Sequence, residues 1–447
     1  MNRKFLYLAG GALVVLIILI VALISCSSQN KNKNQEITLT FWNLDDDKSV
    51  FEKAINDFQT ANKNIKIEYV KKDSKDYLNN VLQEIAAGRG PDVLAVPNDW
   101  LPKYHSLLTA MPENKIANKK AKKSDIDVYK DTFPQVVVQD NIIDQKIYGM
   151  PLAIDTLKLY SNPNIFSQAL DDYRKIKEIN ETTRRIFSNG PKNWDEFSQI
   201  VKIITKNSGS EITRSAAAIG TSDNVNQSVD ILTLMMLQNG AKMTSDDKTA
   251  ALFHTNQNQF GEIESPGTKA LEFYTSFANP ESNNYTWNLS MSEAARAFAE
   301  EKTAMFISYS SDKNEIKRIN PNLNFSMIDI PQVKETANPV NFASYVTYAV
   351  NRTSANSTLA WDFIIFATNK ENAADYVAAV KKPSARLDKI SQDSPALTAA
   401  NWFKPDPQKA NTVFQDMIKQ VNSGQAAQTA IEGAAAQISN LLAELKK

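Results

Sequence analysis

Carboxylates occupy positions in this sequence where they could bind a small polar molecule. Asp155 is the only charged residue between Lys146 and Lys158, in a segment that otherwise has the pattern of buried chain. A carboxylate without donors is costly in such a place, so Asp155 needs hydrogen bonds from the protein or from a ligand. Two interpretations stay open: contact with a ligand, or a hinge carboxylate that caps backbone amides.

Aromatic residues in polar surroundings form a second group of candidates. Trp100 follows Asp99 in a polar loop, where a tryptophan is hard to explain as part of a core. Trp287 occupies another polar loop, Trp42 ends a predicted strand, and Tyr345 begins one. Each of these rings could form the wall of a binding site. The alternative in each case is ordinary packing.

The composition limits the chemistry available to the chain. Its 447 residues carry 50 basic and 50 acidic side chains, so no overall charge attracts nucleic acid or an anionic membrane. Two histidines and one cysteine leave almost nothing for a metal site, or for a thiol or serine–histidine catalyst. We therefore expect no metal, no cofactor and no catalytic residue. Acidic residues are too numerous for counting alone to exclude a glycosidase pair.

The N-terminus carries a targeting signal. A basic pair precedes an apolar run over residues 5–24, and Cys26 follows closely. The Leu-Ile-Ser-Cys that ends at Cys26 resembles a bacterial lipobox, in which the cysteine is lipidated after cleavage. The alternative is an uncleaved membrane anchor, because the run is long enough to span a bilayer. Both predict a leader over residues 1–26, a flexible tether over 27–36, and a body anchored to the membrane outside the cytoplasm.

The elements that must position the candidate residues alternate between strand and helix. Alternating or continuous apolar runs predict strands at 37–41, 65–69 and 93–96, and helical spacing predicts helices at 50–58 and 77–85 between them. This order predicts an α/β fold with a parallel sheet and helices on both faces. Ligands bind beyond the carboxyl ends of such strands, and the loops there hold several of the acids and indoles.

Five groups of motifs follow one another in a fixed order along the chain. They are Ile-Thr-Leu-Thr-Phe-Trp at 37–42 with Gly-Pro-Asp-Val at 90–93, Tyr-Gly-Met-Pro-Leu at 148–152 with Asp-Thr-Leu at 155–157, Pro-Lys-Asn-Trp-Asp-Glu-Phe at 191–197, Phe-Ala-Glu-Glu-Lys-Thr-Ala-Met at 298–305, and Ala-Trp-Asp-Phe-Ile at 360–364. Together they resemble the extracellular solute-binding proteins of ABC importers, the group that contains maltose-binding protein. Glu301 replaces a glycine of that pattern, and residues 167–189 are longer and more charged than the usual link, which predicts an extra surface helix.

The resemblance implies a two-lobed periplasmic-binding-protein-like fold. Each lobe would be a mixed, mainly parallel sheet flanked by helices, with a hinge between the lobes. The N-terminal lobe would comprise residues 37–153 and about 331–378. The C-terminal lobe would comprise about 154–330 and 379–447.

The resemblance also implies ligand-binding roles at matching positions. Asp99 matches a sugar-contacting aspartate, and Asp155 matches the acid at the interlobe crossing. Asp46 lies among the acids that follow the first strand, and Tyr309 lies where the family has a ligand-facing loop. The complete predicted site consists of Trp42, Asp46, Asp99, Trp100, Asp155, Trp287, Tyr309 and Tyr345.

The function implied by this resemblance is that of a monomeric solute receptor. It would capture a small solute between its lobes and present the closed form to the permease subunits of an ABC importer. The first candidate for the solute is a mono- or oligosaccharide, and the alternatives are a polyol, a sugar phosphate, a polyamine or a peptide. Two other functions stay open on the sequence alone. One is a surface enzyme that degrades polysaccharides, and the other is an adhesion or signalling receptor without transport.

Overall fold

The computed structural model describes residues 36–208, 211–259, 262–333 and 339–445. The N-terminal apolar run and Cys26 lie outside these ranges. Within them, no helix is both long and apolar enough to cross a bilayer.

Strands and helices alternate along most of the described chain. The strands are β1 (Ile37–Leu44), β2 (Ile65–Lys72), β3 (Val93–Pro97), β4 (Leu108–Thr109), β5 (Ile142–Ile143), β6 (Lys146–Ile147), β7 (Met150–Pro151), β8 (Asp155–Ser161), β9 (Lys206–Ser208), β10 (Glu211–Ala218), β11 (Gln257–Gln259), β12 (Glu262–Glu264), β13 (Thr303–Tyr309), β14 (Ser326–Asp329), β15 (Asn341–Ser344), β16 (Val346–Asn351) and β17 (Ala399–Ala400). The helices are α1 (Glu52–Ala61), α2 (Tyr77–Ala86), α3 (Leu101–Tyr104), α4 (Asp125–Thr132), α5 (Gln135–Asn141), α6 (Pro163–Arg174), α7 (Glu181–Asn189), α8 (Trp194–Ile204), α9 (Ser228–Gln238), α10 (Pro266–Ser276), α11 (Ala294–Ala299), α12 (Lys313–Ile319), α13 (Ser357–Ala367), α14 (Lys370–Val380), α15 (Pro407–Asn422) and α16 (Ala427–Glu444).

The first sheet has the strand order β2-β1-β3-β16-β4, and β7 pairs with β16. β1 runs parallel to both β2 and β3 because α1 and α2 carry the chain back between them. β16 returns antiparallel to β3. Successive side chains of β1 alternate between the two faces, so Phe41 packs edge-on against Tyr348 at 5.5 Å on one face while Trp42 packs on the other.

The second sheet has the order β17-β15-β8-β13-β10-β9, with β14 also pairing with β8. β10 is parallel to β13, whereas β8 is antiparallel to β13 and to β15, so the sheet is mixed. Its helices enclose a separate core that includes Tyr160, Phe298 and Phe306. The two sheets and their two cores confirm the predicted two-lobed α/β architecture. Helix α7 supplies the extra helix predicted between residues 167 and 189.

The chain crosses between the two sheets first at residues 152–154. β7 still pairs with the first sheet, and β8 begins in the second sheet at Asp155. The return crossing lies at Tyr345, because Ser344 pairs with Asp155 in the second sheet and Val346 pairs with β3 in the first.

The return crossing differs from the sequence interpretation, which placed it near Pro331. β14 does end just before Pro331, but the residues that follow Pro331 remain part of the second lobe. The amide of Gln332 donates to the carbonyl of Lys192, and the amide of Trp194 donates to the carbonyl of Gln332, so this segment is tied to the start of α8. A strand end alone does not mark a change of lobe.

A third crossing follows α14. Ala385 and Ala396 are buried in the core of the first lobe, and β17 then joins the second sheet beside β15. We therefore propose that the first lobe comprises residues 36–153 and 345–398 and the second 155–344 and 399–445. The sequence interpretation ended the first lobe at about residue 378, where the helical pattern stops.

Candidate ligand-binding site

Within the described ranges, predicted site residues line two cavities in the gap between the lobes. The hinge cavity, of about 220 Å³, lies beside the crossings, and the cleft cavity, of about 610 Å³, lies farther along the interlobe gap. The hinge cavity is lined by residues that include Asp45, Asp46, Asp155, Tyr309, Tyr345 and Tyr376. The cleft cavity is lined by residues that include Asp99, Asp140, Met243, Lys248, Trp402 and Phe403.

Asp155 is almost completely buried at the start of β8. Its carboxylate accepts hydrogen bonds from the amides of Thr156, Ser310 and Ser311 at 2.9 to 3.0 Å and from Ser310 Oγ at 2.6 Å. All of these donors belong to the second lobe: Thr156 lies in β8, and Ser310 and Ser311 lie in the turn that follows β13. The arrangement favours the second sequence interpretation, a hinge carboxylate that caps backbone amides. The donors needed to bury this charge are therefore supplied by the protein.

Asp99 lies in the turn after β3 and faces a buried lysine. Lys404 Nζ is 3.6 Å from Asp99 Oδ2 in the first lobe and 3.5 Å from Asp230 Oδ1 in the second. Tyr309 Oη donates to the other oxygen of Asp230 at 2.7 Å. Burial raises the pKa of the Asp99 carboxyl, and Lys404 partly offsets this rise. Asp99, Lys404, Asp230 and Tyr309 thus form a polar chain across the gap, which we call the interlobe bridge.

Asp140 occupies the first-lobe side of the cleft cavity. Its Oδ2 accepts from Asn98 Nδ2 at 3.0 Å and from the hydroxyl of Tyr345 at 2.8 Å. Burial raises the pKa of Asp140 to about 6, although hydrogen bonds from Asn98, Tyr345 and Asn401 pull it down. Tyr345 was predicted to contact the ligand. It is 5% exposed and donates to Asp140, so we propose that it holds Asp140 in position.

Asp46 lies in the loop after β1, as predicted. Its Oδ2 accepts from Tyr376 Oη at 2.7 Å, and its main-chain carbonyl accepts from Tyr69 Oη, also at 2.7 Å. It lines the hinge cavity with Asp45, whose backbone has a φ of 58°. This loop therefore brings two acids to the carboxyl end of β1, where a parallel sheet binds its ligands.

The three predicted tryptophans lie away from both cavities. Trp100 stacks on Tyr77 at 5.8 Å, and Lys72 Nζ lies 3.8 Å above the ring of Trp42. Trp287 is fully buried in the second core, where Nε1 donates to Asn224 Oδ1 at 3.0 Å. We therefore propose packing roles for Trp42 and Trp100, and we assign the fully buried Trp287 to the core. The polar neighbours of Trp287 in sequence favour a binding role, but its loop folds the side chain inward over the core.

The aromatic wall of the cleft cavity comes instead from Trp402 and Phe403, in the segment after β17. Trp402 packs against Phe414 at 5.6 Å and is 6% exposed, and Lys248 Nζ lies 5.7 Å from the ring of Phe403. These two residues directly precede Lys404, but in sequence they are far from the other site residues. Their place in the cleft depends on the third crossing, which the periodicity of the sequence does not reveal.

Several polar residues of the site carried a weak signal in the sequence. Asp230 is the only charge in the apolar helix α9, and Asp140 directly follows the apolar residues 136–138 and Gln139. An isolated acid in an apolar segment was the criterion that identified Asp155, and it applies equally to these two. Lys404 has no comparable local signal. Across the described ranges, no group of three histidine, cysteine, aspartate or glutamate residues has the arrangement of a metal site.

The comparisons with known proteins identify the family. The model of the bacterial extracellular solute-binding protein family matches residues 42–374. The chain belongs to this family. Its members and the solved structures that resemble it are binding proteins, as the sequence resemblance implied.

Two curated relatives come from Bacillus subtilis (strain 168). The galactooligosaccharide-binding protein is 26% identical over 142 residues, which is 32% of this chain and 31% of the relative. The maltodextrin-binding protein MdxE is 25% identical over 184 residues, which is 40% of this chain and 40% of the relative. The matched segments thus span less than half of either relative.

Solved structures match nearly the whole fold. A solute-binding protein of an ABC transporter from Thermotoga lettingae, bound with α-D-tagatose, has a TM-score of 0.65 at 21% identity and covers 91% of this chain and 99% of its own. The cyclic α-maltosyl-1,6-maltose binding protein of Arthrobacter globiformis has a TM-score of 0.69 at 15% identity, with coverage of 91% and 99%. At these identities the likeness concerns the fold.

Proposed function

We propose that this chain is an extracytoplasmic receptor that binds a neutral sugar or oligosaccharide between its lobes and delivers it to an ABC importer. The cleft cavity carries this proposal. It combines carboxylates from the first lobe, Asp99 and Asp140, with the aromatic pair Trp402 and Phe403 from the segment that joins the second lobe. Sugar hydroxyl groups donate to carboxylates, and the apolar faces of sugar rings lie on aromatic planes. Relatives named for galactooligosaccharide and maltodextrin binding support the same ligand class.

Transport would depend on a hinge motion about the three crossings. A ligand that contacts both lobes binds the closed form more tightly than the open form, and so shifts the equilibrium between them towards closure. The importer would recognise the closed arrangement of the lobes, which presents a surface that the open form lacks. This mechanism needs no chemical step.

The site residues that we retain are Asp46, Asp99, Asp140, Asp230, Lys404, Trp402 and Phe403, with Tyr309 and Tyr345 as positioning residues. Asp155 is retained as a hinge residue. Attachment to the membrane through Cys26, or through an uncleaved apolar anchor, is part of the proposal. Mass spectrometry of the mature N-terminus decides between them, because a lipidated Cys26 would be the first residue of the mature chain.

A thermal-shift screen of the detergent-solubilised full-length chain tests the ligand class. The probes are maltotriose, a β-galactotriose, a polyol, spermidine and a tripeptide. A ligand at about 100 times its dissociation constant stabilises the folded state by about 2.7 kcal/mol, which raises the melting temperature by several degrees. We expect a rise with at least one trisaccharide and no hydrolysis products by chromatography.

A matched pair of variants locates the response. Asp140→Asn, inside the cleft cavity, should reduce the shift, and Asp131→Asn, on the surface of the neighbouring helix α4, should leave it unchanged. No response to any saccharide would contradict the sugar assignment, and released products would favour the polysaccharide-degrading enzyme.

A further inference from the structure

The interlobe bridge contains a buried positive charge at the point where the two lobes meet. Lys404 is 3% exposed, although lysine is almost never fully buried without partners. Its ammonium group lies 3.6 Å from a carboxylate of the first lobe, Asp99, and 3.5 Å from one of the second, Asp230. The charge thus lies between two acids that approach it from opposite sides of the gap.

The segment that carries Lys404 is held at both ends. On its N-terminal side, Trp402 packs against Phe414. On its C-terminal side, Asp406 caps α15 by accepting from the amide of Lys409 and pairs with Lys103 Nζ of the first lobe at 2.5 Å. The position of Lys404 is therefore fixed, because the chain on either side of it is held by these contacts.

The balance of charges keeps Lys404 protonated. Burial by itself lowers the pKa of the ammonium group, but attraction by Asp230 and Asp99 outweighs this and leaves the pKa above its usual value. The bridge thus holds one positive charge between two negative ones. One end of the bridge, Asp99, lines the cleft cavity together with Asp140.

We propose that Lys404 is a specificity-determining residue of the cleft. Its ammonium group occupies the position that the positive charge of a cationic ligand would need, and it so restricts the site to neutral, hydroxylated ligands. This inference rests on the proposed function for its ligand class. A cationic ligand would either lie beside the ammonium group or displace it. The first arrangement brings like charges together, and the second leaves a buried charge without partners.

A hydroxylated ligand meets neither obstacle. The two ion pairs are longer than the 2.7 to 3.2 Å of a direct hydrogen bond, so the ammonium protons and the facing carboxylate oxygens of Asp99 and Asp230 keep the capacity to bond hydroxyl groups. A hydroxyl both donates and accepts, and it can therefore bond to a carboxylate and to the ammonium group together. Each saccharide hydroxyl has the chemistry to insert into the bridge.

The test is the binding of spermidine to the full-length chain, wild type and Lys404→Met. Methionine matches the apolar stem of lysine as far as Cε but leaves Asp99 and Asp230 facing each other without a cation. We expect the affinity of the variant for spermidine to be at least about tenfold higher than that of the wild type, because two uncompensated carboxylates attract a cation. Binding is followed by titration calorimetry at constant ionic strength, since salt screens weak association with surface acids.

Three further variants make the outcome specific. Lys404→Gln should show the same gain and serves if the methionine variant fails to fold by circular dichroism. Lys404→Arg keeps the charge and should not bind spermidine. Lys409→Met removes a charge from an exposed lysine paired with Glu444 at 3.6 Å, and it should behave as the wild type.

Two results would overturn the role of Lys404. One is equal spermidine affinity in the wild type and the neutral variants, and the other is the same gain in Lys409→Met. This comparison does not need a saccharide to bind, so it is separate from the test of the ligand class. If no trisaccharide shifts the melting temperature of the wild type, the sugar assignment is wrong, whatever the spermidine affinity of Lys404→Met.

Discussion

Asp155 and Asp99 are both acids at the edge of the interlobe gap, yet their surroundings differ. Asp155 accepts four hydrogen bonds, all from the second lobe, and is 5% exposed. Asp99 has about a quarter of its side chain exposed, and its partner Lys404 lies 3.6 Å away. A carboxylate whose hydrogen-bonding capacity is already used stabilises the fold, whereas one held mainly by a longer ion pair can exchange partners with a ligand.

The comparison predicts the largest effect on stability at Asp155. Replacement by alanine removes the acceptor for three backbone amides and one hydroxyl, so the free energy of unfolding should fall by about 3 kcal/mol. Urea denaturation followed by circular dichroism measures the change. Asp329→Ala is the control on the same sheet, because its surface pair with Lys158 should contribute less than about 1 kcal/mol. A loss at Asp155 no larger than that of the control would contradict the capping role.

A pH-dependent effect is predicted for Asp140. Its folded-state pKa of about 6 lies above the value of about 3.9 expected in the unfolded chain. The folded state therefore holds this proton more tightly, and the charged carboxylate reduces stability as the pH rises from about 4 through about 6. Asp140→Asn should raise the free energy of unfolding by about 2 kcal/mol at pH 7 and by less than about 0.5 kcal/mol at pH 4. Thermal unfolding at both pH values measures this, and an equal gain at the two would refute the raised pKa.

Asp99 should show the reverse of the behaviour of Asp155. Asp99→Asn should change the free energy of unfolding by less than about 1 kcal/mol, because Asp230 still pairs with Lys404. Affinity for the responding trisaccharide should fall by about tenfold, equal to about 1.4 kcal/mol, since a charged acceptor of a hydroxyl is lost. Calorimetric titration and urea denaturation of the same variant separate the two quantities. A stability loss like that of Asp155→Ala would remove the distinction between the two acids.

The smallest effects are expected among the aromatic residues. Phe403→Ala removes part of the wall of the cleft cavity and should weaken trisaccharide binding by about threefold to tenfold. Trp100→Phe should change binding by less than about twofold, because Trp100 packs on Tyr77 and lines neither cavity. Fluorescence titration of the two variants makes the comparison directly. If Trp100→Phe were the weaker binder, the corrected assignment of the aromatic residues would be wrong.

Local patterns in the sequence were sufficient for the scaffold. The alternation of strands and helices over residues 37–96 predicted the parallel order of β1, β2 and β3, because each helix returns the chain to the same edge. The same kind of reasoning is insufficient at Pro331, where the end of a strand predicts a change of lobe but the next residues stay bonded to the second lobe. Contacts of Gln332 with the start of α8, more than a hundred residues earlier in the chain, decide that position.

The site was less accessible to sequence reasoning than the scaffold. Asp155 was recognised as unusual because it is an isolated charge, but its donors in the turn after β13 lie about 155 residues away. The assignment of Trp287 differs from the prediction because the polarity of its neighbours in sequence does not reveal that the side chain is buried in a core. The sequence does not identify Lys404 as a site residue, because its role depends on its ion pairs with Asp99 and Asp230, which only the folded chain brings together.

The three crossings between the lobes are also neighbours within one sheet. Ser344 pairs with Asp155, and Asn341 pairs with Ala399, so β8, β15 and β17 lie side by side in the second sheet. Strands joined by backbone hydrogen bonds bend together more easily than they slide past one another. We therefore expect closure to be a rotation about these paired strands, which would bring the two faces of the cleft together in the same register each time.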